Sequence, residues 1–297
     1  MLPFEYRTPN SLKDVHQDLK AFGTDAKLIA GGTALVIMMK QRLVRPTCLI
    51  SLRSLAGLNG IAQKDGGLQI GTLVTHRKLE TSPLVLRRLP LLAETYHHVS
   101  TIRVRNIATV GGGLAHADPN QDPAPTLIAL GATVKVSSAD GSRELPLETF
   151  FTDYYQTVLK PDEMLTEIFV PALPTGTGGA FLKFLPRTAD DYATVSAAAI
   201  VTPDRAKKTF KDVRIALGSV GPTPIRAQEA EAVLQGQPVK PEGLREAAEK
   251  AKQAADPISD FRGSAAYKKE MAGVFVRRAL EKALENVDKK ATRRRKR

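Results

Sequence analysis

Apolar residues recur at helical and at strand spacing in alternation through the first 170 positions. Leu12, Val15, Leu19 and Phe22 share one face of a helix predicted over 11–22, and Ser11 with Asp14 has the form of a capping box. Short apolar runs predict strands over 27–30, 48–52 and 68–70. Helical spacing returns over 33–41, 75–80 and 84–97, with Pro83 near the start of the last. A short helix over 125–130 precedes strands over 132–137 and 164–170, and Asp140-Gly141 is a hairpin signal. Pro171 stops the last strand, and the Pro- and Gly-rich stretch 171–179 reads as a linker. Beyond it the order changes: three strands (180–185, 195–201, 213–220), then three helices (226–234, 241–254, 264–287). Strands followed by helices, not alternating with them, imply an α+β domain. No internal repeat of fixed period is present.

Two glycine-rich segments break this pattern. The first is Ala30-Gly31-Gly32-Thr33-Ala34-Leu35; the second runs from Thr109 through Gly111, Gly112 and Gly113 to His116 and Asp118. Each reads as a loop at a strand end, where absent Cβ atoms let backbone N–H groups approach an anion. Two such loops can hold a pyrophosphate. The Thr109 hydroxyl can donate to a phosphate oxygen, and Asp118 or Asp122 can accept from ribose, which together suit an adenine dinucleotide. The chain has no GxGxxG, so the Rossmann version of that site is excluded, and it has no P-loop, HExxH or GxSxG.

Composition narrows the class. The 297 residues are 42% hydrophobic and 25% charged, as in a globular protein, and no apolar run approaches the roughly 18 residues of a membrane span. The N-terminus lacks a secretory pattern, so the expected location is cytoplasmic, with export alongside a partner also open. The one cysteine, Cys48, sits in an apolar run and reads as a buried, inert thiol. It cannot by itself supply a disulfide, an iron–sulfur cluster or a cysteine zinc site. Net charge is +12, but the last nine residues hold seven Lys and Arg, leaving +5 elsewhere. That tail, 288–297, reads as a basic disordered terminus. His97 and His98, near Glu94, read as surface residues rather than metal ligands. The segment from Lys183 through Arg187 to Tyr192 carries cations, carboxylates and an aromatic ring. It is suited to close over a flavin.

With these segments in order, the chain resembles the FAD-binding medium subunit of the molybdenum hydroxylases, the group of xanthine dehydrogenase and carbon monoxide dehydrogenase. The resemblance runs from Phe4 to about residue 285. It rests on the 30–35 segment, on Ile70-Gly71-Thr72-Leu73-Val74-Thr75-His76, on 105–122, on Glu163-Met164-Leu165 and on 187–192. It implies a vanillyl-alcohol-oxidase-like (PCMH-type) FAD-binding domain over 1–175, with subdomains of about 1–56 and 57–175. A C-terminal domain over 176–287, a sheet covered by helices, should follow. It implies that backbone groups of Ala30, Gly31, Gly32, Thr33, Ala34 and Leu35 hold the pyrophosphate together with Thr109, Gly111 and Gly112. His116 joins the cofactor-binding set, and Asp122 contacts ribose. Leu165 and Lys183 border flavin or adenine, and Tyr192 packs on the flavin ring. Gly113 stands where relatives usually carry Asn or Asp, and Gln121 where some have a small hydroxyl residue. The iron–sulfur insertion of the hydroxybenzoyl-CoA reductase branch is excluded, since Cys48 is alone.

The implied function is electron transfer. Substrate would be hydroxylated on a large molybdopterin subunit, and electrons would cross the [2Fe-2S] clusters of a small subunit to FAD. An external acceptor would then take them, in a dimer of heterotrimers. Tyr192 over one flavin face would favour an acceptor other than NAD, such as a quinone or oxygen. Two other readings compete. A self-sufficient flavin oxidase or reductase would need its own base, for which His116 is the one candidate. A basic nucleic-acid-binding protein is disfavoured because the charge sits in the tail and basic residues do not interleave with aromatics.

Overall fold

A computed structural model describes residues 1–185, 188 and 192–295. The first unit is a parallel three-stranded sheet in the order β1 (Glu5–Arg7), β3 (Cys48–Ser51), β2 (Ala26–Ile29). Helix α1 (Leu12–Phe22) precedes β2 and α2 (Leu35–Lys40) follows it. The Ser11–Asp14 capping box starts α1, and Val15 and Leu19 pack its apolar face on Cys48 and Ile50. Cys48 is fully buried and carries no disulfide.

The second unit contains β4 (Ile61–Lys64), β5 (Gly67–Gly71) and helices α3 (His76–Thr81), α4 (Pro83–Arg88) and α5 (Pro90–His97). Helices α6 (Ile102–Ile107), α7 (Val110–His116) and α8 (Pro123–Ala129) follow, then β6 (Thr133–Ser138), β7 (Gly141–Pro146), the β8 (Phe151–Asp153)–β9 (Gln156–Thr157) hairpin and β10 (Met164–Val170). Its antiparallel sheet runs β4-β5-β10-β6-β7. The helix expected over 84–97 is two helices, because Pro90 cannot donate its backbone N and starts a new one at N1. The expected β6–β7 hairpin turns at Asp140-Gly141.

The third unit is the antiparallel sheet β11 (Gly178–Phe184), β12 (Val195–Asp204), β13 (Thr209–Gly218), β14 (Ile225–Arg226). Helices α9 (Gln228–Leu234), α10 (Pro241–Ala254) and α11 (Ala265–Arg295) cover it. β12 is apolar on both faces, and each face has its own neighbour. Val195, Ala197, Ala199 and Val201 pack in the core with α10 and α11. Ala198 and Ile200 pack in the core of the second unit, beside Leu127 and Leu92. The third unit therefore shares a hydrophobic core with the second. Helix α11 continues to Arg295, so the backbone is helical where the sequence suggested disorder from 288.

Candidate functional site

The two glycine segments meet, but they are not the same kind of structure. The first is a turn between β2 and α2. Gly32 has φ +71°, a left-handed conformation that glycine adopts without strain. Among the described residues, the N–H groups of Gly31, Gly32, Thr33, Ala34 and Leu35 donate to no protein acceptor. The first that does is Val36, to the Gly32 carbonyl at 3.0 Å. Five consecutive uncommitted donors form a concave, positive patch suited to an anion.

The second segment is the opening of helix α7, not a loop after a strand. Thr109 is its N-cap: the hydroxyl oxygen accepts from the Gly112 N–H at 3.1 Å. The Gly111 N–H donates to the Thr72 carbonyl at 2.9 Å, the Val110 N–H to Val74 and the Gly113 N–H to Thr109. Its amides are thus spent within the protein. What Gly111 and Gly112 provide is close approach. A Cβ on Gly111 would collide with the Thr72 hydroxyl and Leu165, and one on Gly112 would crowd the Thr109 hydroxyl and face Ala30. Gly31 in turn lies against the Ile107 carbonyl, with which any Cβ would collide. The periodicity of 102–117 is too weak, with three consecutive glycines, to announce two helices, and this is where sequence reasoning failed.

Residues outside the two glycine segments also hold this seam. Buried His76 opens α3, and its Nε2–H donates to the Thr109 carbonyl at 3.1 Å, leaving buried Nδ1 without a partner. Arg105 of α6 donates to buried Glu80 of α3 at 3.0 Å and to the carbonyls of Val99 and Ser100. Arg77 and His97 also pair with Glu80, so His97 is a surface residue with a buried partner. The sequence signal for this cluster was a Glu and an Arg in two short helices, with nothing in their spacing to join them. Among the described residues, no group of three His, Cys, Asp or Glu side chains is arranged to hold a metal.

Burial lowers the His76 pKa to about 4; the Arg105 charge adds to this and the Thr109 carbonyl opposes it. The unfolded chain takes up this proton near pH 6.5 and the folded chain near 4. Between those values the unfolded state holds more protons, so stability falls as pH falls. In thermal melts of the full chain, wild type should lose stability relative to His76→Gln as pH falls from 6.5 to 4.

On the other side of α7, Asp122 pairs with Lys183 at 2.8 Å, the two side chains only 5% and 3% exposed. Lys183 also donates to the His98 carbonyl at 3.2 Å. Asp122 Oδ1 is buried with no partner, an acceptor free for a hydroxyl. Burial raises the Asp122 carboxyl to about 6 although Lys183 opposes the shift. Leu165, in β10, is buried under Gly111. His116 ends α7 with its ring 5.2 Å from that of Tyr155. Buried Asp118 faces the phenols of Tyr155 and Tyr192, and Arg262 lies 5.7 Å from the Tyr192 ring. Arg187, Asp190 and Asp191 lie outside the described residues. The site therefore offers uncommitted backbone donors for a pyrophosphate and a buried acceptor for a ribose hydroxyl, the donor set that FAD requires.

Comparison with known proteins agrees. Residues 2–173 match the family described as FAD binding domain in molybdopterin dehydrogenase, and 180–283 match the CO dehydrogenase flavoprotein C-terminal domain. The carbon monoxide dehydrogenase medium chain of Hydrogenophaga pseudoflava is 38% identical over 285 residues, 95% of this chain and 98% of that one. The 6-hydroxypseudooxynicotine dehydrogenase complex subunit alpha of Paenarthrobacter nicotinovorans is 37% identical, over 95% of this chain and 94% of its own. Among solved structures, carbon monoxide dehydrogenase from Hydrogenophaga pseudoflava lacking the Mo-pyranopterin moiety superposes with TM-score 0.93. Its identity is 39%, over 96% of this chain and 99% of that one. Quinoline 2-oxidoreductase from Pseudomonas putida 86 gives TM-score 0.90 at 34% identity, over 96% and 98%. The fold is thus the PCMH-type FAD-binding arrangement followed by its α+β partner domain. With the family's model matched over more than half its length, the chain belongs to the FAD-binding subunits of the molybdenum hydroxylases, components of multi-subunit oxidoreductases.

Proposed function

We propose that this chain is the electron-exit subunit of its complex. It connects the [2Fe-2S] clusters of a small partner with an external electron acceptor, while substrate is hydroxylated on a large molybdopterin partner, in a dimer of heterotrimers. When bound, FAD supplies a carrier that exchanges electrons one or two at a time. The chain's own residues bind and orient it. The N–H groups of Ala30 to Leu35 and the Thr109 hydroxyl face the pyrophosphate, and Gly111 and Gly112 keep the seam narrow. Asp122 accepts from ribose, with its charge balanced by Lys183. Leu165, His116 and Tyr192 border the ring system. The observation that carries this reading is the run of five uncommitted N–H groups in the turn that abuts the Thr109 helix cap.

Among the described residues no helix is long and apolar enough to cross a membrane. The test uses the complex assembled with its partners. Electrons injected into the iron–sulfur clusters by pulse radiolysis should bleach the flavin band, and a quinone or oxygen should restore it. NADH should not reduce the flavin. Substrate oxidation by this chain alone, without partners, would instead support a self-sufficient oxidase.

A further inference from the structure

Four of the five central glycines are explained by the protein itself. Gly31 and Gly111 would collide with neighbours if they carried a Cβ, Gly112 would crowd the Thr109 hydroxyl, and Gly32 has a left-handed φ. Gly113 is different. Its backbone is helical, and the atoms nearest a Cβ there are His76 Nε2 at 3.5 Å, His76 Cε1 at 3.8 Å and Gln121 Oε1 at 3.9 Å, ordinary contact distances. Neither conformation nor internal packing calls for glycine, and glycine inside a helix is unfavourable.

The Gln121 side chain lies beside Gly113. The turn that follows α7 closes through the Gln121 N–H to the Asp118 carbonyl at 3.1 Å and returns the side chain to Gly113. Its Nε2 is buried and donates to nothing. The next residue, Asp122, has a buried Oδ1 that accepts from nothing. Unpaired buried side-chain polar atoms are uncommon, and here a donor and an acceptor are adjacent in sequence, each unsatisfied. A phosphate oxygen beside a ribose hydroxyl satisfies both at once. The α7 amides cannot supply the donor, because Gly111, Gly112 and Gly113 spend theirs internally.

We propose that Gln121 is a cofactor-binding residue, its unpartnered side-chain amide N–H donating to the ADP half of FAD. This rests on the FAD reading above. The amide takes the part that a side chain at 113 would play, so positions 113 and 121 form one exchangeable contact.

The test is fluorescence titration of the deflavinated full-length chain with FAD and, separately, with FMN, which lacks the adenosine half. Gln121→Ser should weaken FAD binding roughly tenfold, the loss of one hydrogen bond to a charged group, and leave FMN binding unchanged. Gly113→Asn/Gln121→Ser should regain the affinity by placing an amide from the other side. Wild-type affinity in Gln121→Ser would overturn the inference, as would a double variant no better than the single one. Equal weakening of FAD and FMN with a lower melting temperature of the flavin-free chain would make Gln121 purely structural and overturn it too. A wild-type chain that takes up no FAD would defeat the cofactor reading itself.

Discussion

Gly31→Ala should empty the cofactor site. The added methyl points into the Ile107 carbonyl and lies 3.0 Å from the Ala108 Cα, so it meets backbone that cannot rotate away. Either the turn between β2 and α2 or the end of α6 must shift. Overpacking of this kind costs about 1–3 kcal/mol. If the shift falls on the turn, the five uncommitted N–H groups splay, and FAD affinity should drop ~10–100-fold. Flavin content of the purified protein measures this directly. Gly60→Ala is the control: nothing lies within 4 Å of its Cβ and its φ is ordinary, so it should retain flavin like the wild type. Equal flavin content in the two variants would show that the seam between Gly31 and Ile107 does not shape the site.

Lys183→Met should have the largest effect on stability. It leaves the Asp122 carboxylate buried without its cation, and breaking a buried pair from one side costs about 3–5 kcal/mol. Asp122→Asn/Lys183→Met removes both charges and should recover most of that loss. The pH dependence has a definite sign. Burial raises the Asp122 carboxyl to about 6 in the folded chain, above its ordinary value. Between roughly 4 and 6 the folded state therefore holds the extra proton. Stability from this group falls as pH rises through that window and is level above it. Without Lys183 the carboxyl rises further, so the Lys183→Met deficit should be larger in urea melts at pH 8 than at pH 5. A deficit independent of pH would mean that lost packing of the lysine stem, not charge, sets the cost.

Much of the architecture was legible because its signals are local. The Ser11–Asp14 box, the Met164–Val170 strand stopped by Pro171 and the Pro241–Ala254 helix each carry their boundary in their own residues. The first glycine turn was legible too, since the Gly31-Gly32 pair predicts the backbone that forms. The second was not. Gly111 to Gly113 suggest a loop, yet they open a helix, because Thr109 caps it and Thr72 to Thr75 pair along the preceding backbone. That pairing joins positions more than thirty residues apart, and no periodicity encodes it. Glu80 with Arg105 and Asp122 with Lys183 were hidden for the same reason: each is a long-range match of charges inside apolar surroundings.

The Asp122–Lys183 pair also bears on how the polypeptide matures at the ribosome. Asp122 emerges with the second unit, but its counter-charge lies on β11, the first strand of the third. The cover over Leu92 and Leu127 arrives later still, with Ala198 and Ile200 on β12. A nascent chain that has reached only Val170 has every backbone donor of the nucleotide cradle and an uncompensated carboxylate at its rim. Under the function proposed above, flavin acquisition should wait until the chain has grown past β12, which ends at Asp204.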